Sequence, residues 1–170
     1  MSLCASAGRA ARTLPLAARP LTAEAFAPYG AVLATPETAG VRTYFDAALG
    51  TLAPQAPASL SIVRAAPVAA RPVPVAVIER HPLTPQTFLP MAPARWLVVV
   101  APDAPDGGPD LERAEAFLPP PGAGITFGRG VWHAPLTVLD AEAAFAILMW
   151  RDWSPNDEEF AAIVPFAVTV

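Results

Sequence analysis

The chain is poor in several things, and each shortage excludes something. It holds one cysteine among 170 residues, Cys4. A single thiol rules out an internal disulfide and a multi-cysteine metal knot. Its place in a terminal tail, expected to be mobile, marks it as inert rather than nucleophilic. Charged residues make up only 15% of the chain, and 11 basic against 15 acidic residues leave a formal charge of −4. No basic stripe remains to neutralise a phosphate backbone, so nucleic acid is not an expected partner. Long apolar runs are missing too. The run WLVVVA, Trp96 to Ala101, is far too short to span a bilayer, so no membrane is expected either. Several catalytic signatures are also absent: there is no GxSxG elbow, no GxxxxGK[ST] loop, no GxGxxG after a strand and no HExxH.

The N-terminal stretch MSLCASAGRAARTLPLAARP carries three arginines and no acid before Glu24. That composition is transit-peptide-like, but it lacks the continuous apolar core of a secretory signal. Residues 1–20 read as a disordered or surface-packed extension, and residues 21–170 as one domain in a cytoplasmic protein.

Proline is abundant, at 22 residues. It fixes φ and lacks an N–H, so helix interiors and central strands both reject it. An apolar fraction of 54% still provides a sizeable core. Together these favour many short elements joined by proline turns. LTAEAFAPYG (21–30) reads as a short helix capped by Thr22, ended by Pro28, with Gly30 as a left-handed stop. Beyond it, VRTYFD (41–46), SLSIVRA (59–65), VPVAVIERH (73–81) and RWLVVVA (95–101) read as strands, the last buried on both faces. RAEAFLP, GITF, GVWHAPLTVL and AEAAFAILMW complete the set, with DLERAEAF ambiguous between a helical turn and a strand. Turn clusters separate the strands, as in APDAPDGGPD, PPPGAG and DWSPND. The pattern predicts an all-β barrel or sandwich.

Only two histidines are present, and both stand in suggestive company. In ERHPLTPQTFLPM, Glu79 and His81 are two apart, so on a strand they share a face and Arg80 takes the other. Gln86 follows a two-proline turn and can return to the same cavity. In GRGVWHAPL, Gly128 and Gly130 allow a tight turn that delivers His133 onto a sheet, with Trp132 facing the opposite side. His81, His133 and Glu79 are thus candidate acid–base groups or metal ligands, against the alternative of hydrogen-bonded core histidines. Gln86 suits substrate binding or support of a ligand. Arg64 and Arg129 are candidates for holding a carboxylate, which the planar guanidinium fork matches.

These two segments resemble the paired motifs of the cupin superfamily. Glu79 takes the place of the first histidine, His81 that of the second and Gln86 that of the acid. Gly128 to His133 matches the second motif. More narrowly, ERHPLTPQTFLPM, WLVVVAP and PDLERAEAFLPPPGAGITFGRGVWHAPL, with SLSIVRA and LTAEAFAPYG before them, resemble the ureidoglycolate lyase family over roughly residues 20–160. The resemblance implies a cupin-like double-stranded β-helix barrel with short peripheral helices, dimeric, splitting ureidoglycolate into urea and glyoxylate in purine (allantoin) breakdown. It implies His133 as base or metal ligand, and His81 with Glu79 as orienter or opposite acid. A divalent metal such as nickel, manganese or zinc would sit on His81 and His133, with Glu79 and Gln86. The chain departs from the family in having Phe45, Gly128 and Ala134 where relatives have histidine, and Trp150 near a usual polar position. Those departures keep two alternatives open: another metal-dependent cupin enzyme for a small carboxylic acid, and a non-catalytic small-acid binder.

Overall fold

A computed structural model describes residues 12–13 and 15–170 of the chain; Cys4 lies outside them. The elements run β1 (Leu16–Ala17), β2 (Arg19–Pro20), α1 (Ala23–Phe26), β3 (Gly30–Leu33), β4 (Ala58–Ala65), β5 (Val73–Val75), β6 (Ile78–Arg80), β7 (Gln86–Pro90), β8 (Trp96–Ala101), β9 (Glu115–Leu118), β10 (Gly124–Phe127), β11 (Trp132–His133), β12 (Thr137–Val138), β13 (Ala143–Trp150), β14 (Glu159–Ala161) and β15 (Phe166–Thr169). The fold is all-β, with one α-helical turn and three short 3-10 turns among the described residues.

Two large sheets face each other. One is five-stranded, in the order β3-β10-β7-β13-β4. The other runs β14-β6-β11-β8-β9-β2, with β12 added on β8. Strand β8 shows why the second sheet is buried on both sides. Its even residues Trp96, Val98 and Val100 meet Phe88, Phe117, Ile125, Phe127 and Phe145 between the two large sheets. Its odd residues Leu97, Val99 and Ala101 meet Val73, Val75, Trp132 and Val168 on the other face. There a small sheet, β1-β15-β5, closes the outside. A period of two therefore feeds two separate cores from one strand. Each such buried Val or Leu contributes on the order of 1.5–3 kcal/mol against exposure.

Several expectations shift in detail. The helix is one turn, with Thr22 Oγ1 accepting from Ala25 N at 3.1 Å. Gly30 does not end it but opens β3 at φ +153, pressed so close to the Thr126 carbonyl that a Cβ there would collide with it. VRTYFD forms no strand; Val41 and Tyr44 are exposed, and an extended segment without a partner leaves its backbone to water. VPVAVIERH is two strands, not one: β5 pairs with β15, whereas β6 pairs with β11 and β14. Pro74 is tolerated because β5 is an edge strand. GVWHAPLTVL also splits at Pro135, into β11 and β12, both lying antiparallel on β8. DLERAEAF resolves as a 3-10 turn, Leu111–Arg113, followed by β9.

The strands Leu16–Ala17 and Arg19–Pro20 pair in parallel with β15 and β9, and Leu16 is buried. Tyr29 ties the helical turn to β9 through its hydroxyl, 2.8 Å from Glu115 Oε1. Burial, with that carboxylate beside it, pushes the Tyr29 phenol up to about 12.

Candidate active site

Register brings the two histidine segments together. On neighbouring strands β6 and β11, Glu79 and His133 are directly opposed. His81 follows β6 at the i+2 position, on the face Glu79 occupies. Gln86 opens β7 in the facing sheet, opposite Phe127. Ligand atoms of Glu79, His81 and His133 all lie within 4.8 Å of one another. Arg80 turns the other way, as alternation requires. It bonds Glu159 at 2.6 Å and Asp103 at 3.1 Å and lies 4.3 Å from the Trp132 ring centroid. Trp132 and His133 take opposite faces: Trp132 joins the outer core, while His133 stacks on Phe127 with centroids 4.0 Å apart.

The hydrogen bonds fix where each imidazole keeps its lone pair. His133 Nδ1 donates to the Val131 carbonyl at 2.8 Å. His81 Nδ1 donates to the Asp157 carbonyl at 2.6 Å. A neutral ring with a protonated Nδ1 leaves Nε2 as an acceptor. Burial pushes His133 down to about 3, against the opposing pull of the Val131 carbonyl and with His81 adding to the drop. His133 is thus neutral near pH 7, and its 3.6 Å approach to Glu79 Oε1 is not an ion pair. His133 Nε2 also lies 3.0 Å from Gln86 Oε1, whose amide nitrogen is turned to Met149 Sδ. His81 Nε2 is buried with no partner. Ligand atoms of two imidazoles and a carboxylate therefore converge, and the Gln86 amide oxygen joins them at His133. Turning the Gln86 amide over would satisfy His133 alone. A cation would satisfy all four acceptors at once, so the residues fit a metal. Burial raises the Glu79 carboxyl above its ordinary value. His81 and, to a smaller extent, Arg151 pull it down, while Glu158 pushes it up.

A cavity of about 260 Å³ opens beside His81, lined also by Met149, Trp150, Arg151, Trp153 and Asp157. Asp157 does two jobs there. Its carbonyl fixes His81. Its carboxylate accepts from Leu83 N at 2.5 Å and Thr84 N at 3.3 Å, and from the Thr84 hydroxyl, holding the turn after His81. The sequence reading of DWSPND as a turn cluster did not mark this role; a carboxylate in a capped turn after the last long strand was the available signal.

Of the residues singled out in the sequence, Glu79, His81, Gln86 and His133 assemble. Arg129 is exposed, with Nη1 3.3 Å from the Gly50 carbonyl. Arg64 is exposed on β4 in the row of Leu60 and Ile62, whereas Val63 and Ala65 face the core, so its side chain is on the outer face of the sheet. Of the three positions where relatives carry histidine, Ala134 packs against the outer core with Trp132, so a ring there would not face His133. Phe45 precedes a 3-10 turn, Asp46–Leu49. At Gly128 there is room for a side chain, since a Cβ would meet only Tyr29 O at 3.6 Å and Val131 Cγ2 at 3.7 Å.

The class the structure defines is an all-β protein that brings Glu79 and His133 of one sheet, with His81 directly after β6, together with Gln86 of the facing sheet. The family follows from sequence: a family model described as ureidoglycolate lyase matches residues 13–169, and the chain belongs to that family. It is 37% identical over 153 residues to the ureidoglycolate lyase of Mesorhizobium japonicum, covering 85% of this chain and 91% of that one. It is 36% identical over 163 residues to ureidoglycolate lyase 2 of Rhizobium meliloti, covering 91% and 98%. The structure of RmlC from Streptococcus suis with dTDP-D-xylose aligns with a TM-score of 0.44 at 14% identity, over 86% of this chain and 74% of that one.

Proposed function

We propose that the protein is a lyase that splits ureidoglycolate into urea and glyoxylate, in the breakdown of purines through allantoin. Family membership supports the substrate, and one structural observation supports the chemistry: ligand atoms of Glu79, His81 and His133 within 4.8 Å of one another, with the Gln86 amide oxygen on His133 and a cavity beside His81. The substrate carries a hydroxyl, a carboxylate and a urea nitrogen on one carbon. Cleavage forms a carbonyl at that carbon as the C–N bond breaks. The hydroxyl proton leaves, and the departing urea nitrogen takes one up.

His81, His133 and Glu79, with the Gln86 amide oxygen, would hold a divalent ion such as nickel, manganese or zinc. When bound it would supply Lewis acidity that favours loss of the hydroxyl proton. The protein's own residues do the rest. The backbone carbonyls of Asp157 and Val131 hold both rings with Nε2 turned inward. Glu79, whose carboxylate lies with both rings within 4.8 Å, is the acid–base group placed to carry the proton from hydroxyl to urea nitrogen. Phe127 walls off one side of His133 from water. We further propose that the protein works as a cytoplasmic homodimer on this small carboxylate.

The test is glyoxylate release from ureidoglycolate by purified protein. Release is expected, lost with a chelator and restored by one of the three metals. Folded protein that releases none under any metal overturns the lyase reading and leaves another small carboxylic acid as substrate.

A further inference from the structure

The side chains of the cluster offer acceptors only, so no protein cation there meets the carboxylate of an anionic substrate. The chain has no lysine, so a permanently cationic side chain for that carboxylate can only be an arginine. Most of the arginines are committed. Arg19, Arg71, Arg80, Arg95 and Arg113 pair with carboxylates. Arg64 is on the outer face of the five-stranded sheet. Arg151 differs from all of these. It follows the last residue of β13, is half-buried, and lines the cavity that His81 lines.

Its placement is held from three sides. The backbone N–H donates to the Pro57 carbonyl at 3.0 Å. Nε lies 2.9 Å from Met149 Sδ, the sulfur that the Gln86 amide also faces at 3.9 Å. The guanidinium carbon stands 5.6 Å from the Trp153 ring centroid. With Nε spent in this way, the two terminal nitrogens have no carboxylate partner among the described residues. Glu79 feels the charge of Arg151, which lowers its carboxyl, but forms no ion pair with it, and the acids along the cavity do not take the two nitrogens either. Asp157 is bonded to Leu83 and Thr84, Asp152 accepts from Ser154 N at 2.9 Å, and Glu158 is exposed.

We propose that Arg151 binds the carboxylate of the substrate and presents the adjacent carbon to His81 and its cluster. A guanidinium with both terminal nitrogens free matches a carboxylate through two parallel N–H···O bonds, and the aromatic wall of Trp153 limits its other orientations. A cavity of about 260 Å³ has room for a small acid. The inference rests on the lyase reading for the identity of the acid, but not for the anion site itself.

Two measurements separate the inferences. The first is the KM for ureidoglycolate, and the second is glyoxylate affinity by calorimetry, which needs no turnover. Arg151→Ala raises KM and the glyoxylate Kd on the order of 10- to 100-fold, the usual loss for a charge-assisted pair. Arg151→Lys falls between, because it keeps charge and loses the fork. Bound metal per chain stays at the wild-type value, which shows the histidine cluster intact. Should Arg151→Ala fail to fold, Arg151→Gln gives the same readouts with most of the side-chain volume kept. Wild-type Kd in the Arg151 variants, or a rise confined to Arg64→Ala, overturns the proposal, as does wild-type protein that binds neither acid. Glyoxylate binding that depends on Arg151 in a protein without lyase turnover would sink the lyase reading and leave the anion site standing.

Discussion

His133 is fully enclosed, and its enclosure has a thermodynamic consequence that can be measured. Unfolded, an imidazole takes up a proton near its ordinary value of 6.5; folded, His133 resists until about 3. Between those values the unfolded state holds more protons, so stability must fall as the pH is lowered through that window. Glu79 acts in the opposite sense. Its folded value is raised above 4.5, so its contribution favours the folded state at low pH and is lost as pH rises through the raised value. Chemical denaturation of chelator-treated protein from pH 6.5 down to 3 should therefore show declining stability. His133→Gln should flatten the slope, by at most about 1.4 kcal/mol per pH unit, the value for one proton. An unchanged slope in the variant would mean that His133 already titrates in the folded state. At this scale much of the site was legible in the sequence. Glu79 and His81 share a face because they are two apart, and the glycine turn before His133 announced its delivery. Arg151 was not legible, because nothing in the string AFAILMWRDW tells which end of the strand reaches the cavity. Arg64 looked equally good as the end of SLSIVR, yet one residue of register sends it to the other face.

At the scale of elements, the two β10–turn glycines look alike in sequence and differ in structure. Gly124 on β10 is packed against its neighbour on β7: an added Cβ would stand 2.6 Å from the Phe88 carbonyl and 2.7 Å from Leu89 Cδ2. At Gly128, four residues on, an added Cβ would make only ordinary contacts, 3.6 Å from Tyr29 O and 3.7 Å from Val131 Cγ2. Gly124→Ala should cost about 1–3 kcal/mol in urea denaturation, as overpacking does, while Gly128→Ala stays within about 0.5 kcal/mol. Equal costs would show that the close approach of β7 and β10 is not maintained in solution. Alternation found most strands but could not place their breaks. VPVAVIERH keeps its period of two only to Val77, where the buried phase shifts to Ile78, but nothing in it says that Val73–Val75 serves the small sheet while Ile78–Arg80 serves the large one. Pairing partners decide that, and they lie far away at β15 and β11. VRTYFD failed for the same reason, having the composition of a strand and no neighbour to pair with.

For the molecule as a whole, the outer face of the five-stranded sheet is left apolar in a way that a monomer does not need. Leu60 and Ile62 are 69% and 64% exposed on β4. Leu148 and Ala146 stand opposite them on β13, and Leu89 lies beyond on β7. The proposed homodimer would cover contiguous apolar surface of this kind, and β4 is also an open sheet edge. A two-fold pairing across this face would bury the row once on each protomer. It would also brace β13, the strand that leads into Met149, Trp150 and Arg151, and the start of β4, where Pro57 holds Arg151. Light scattering should give twice the 17.7 kDa chain mass. Ile62→Glu combined with Leu60→Glu should return the mass to one chain and make the melting temperature independent of protein concentration, which a dimer's is not. Because β13 carries the cavity wall, the monomeric variant should also bind glyoxylate more weakly while retaining its metal. A wild-type monomer, or a dimer that survives both charges, would move the interface elsewhere and remove the brace from the account of the site.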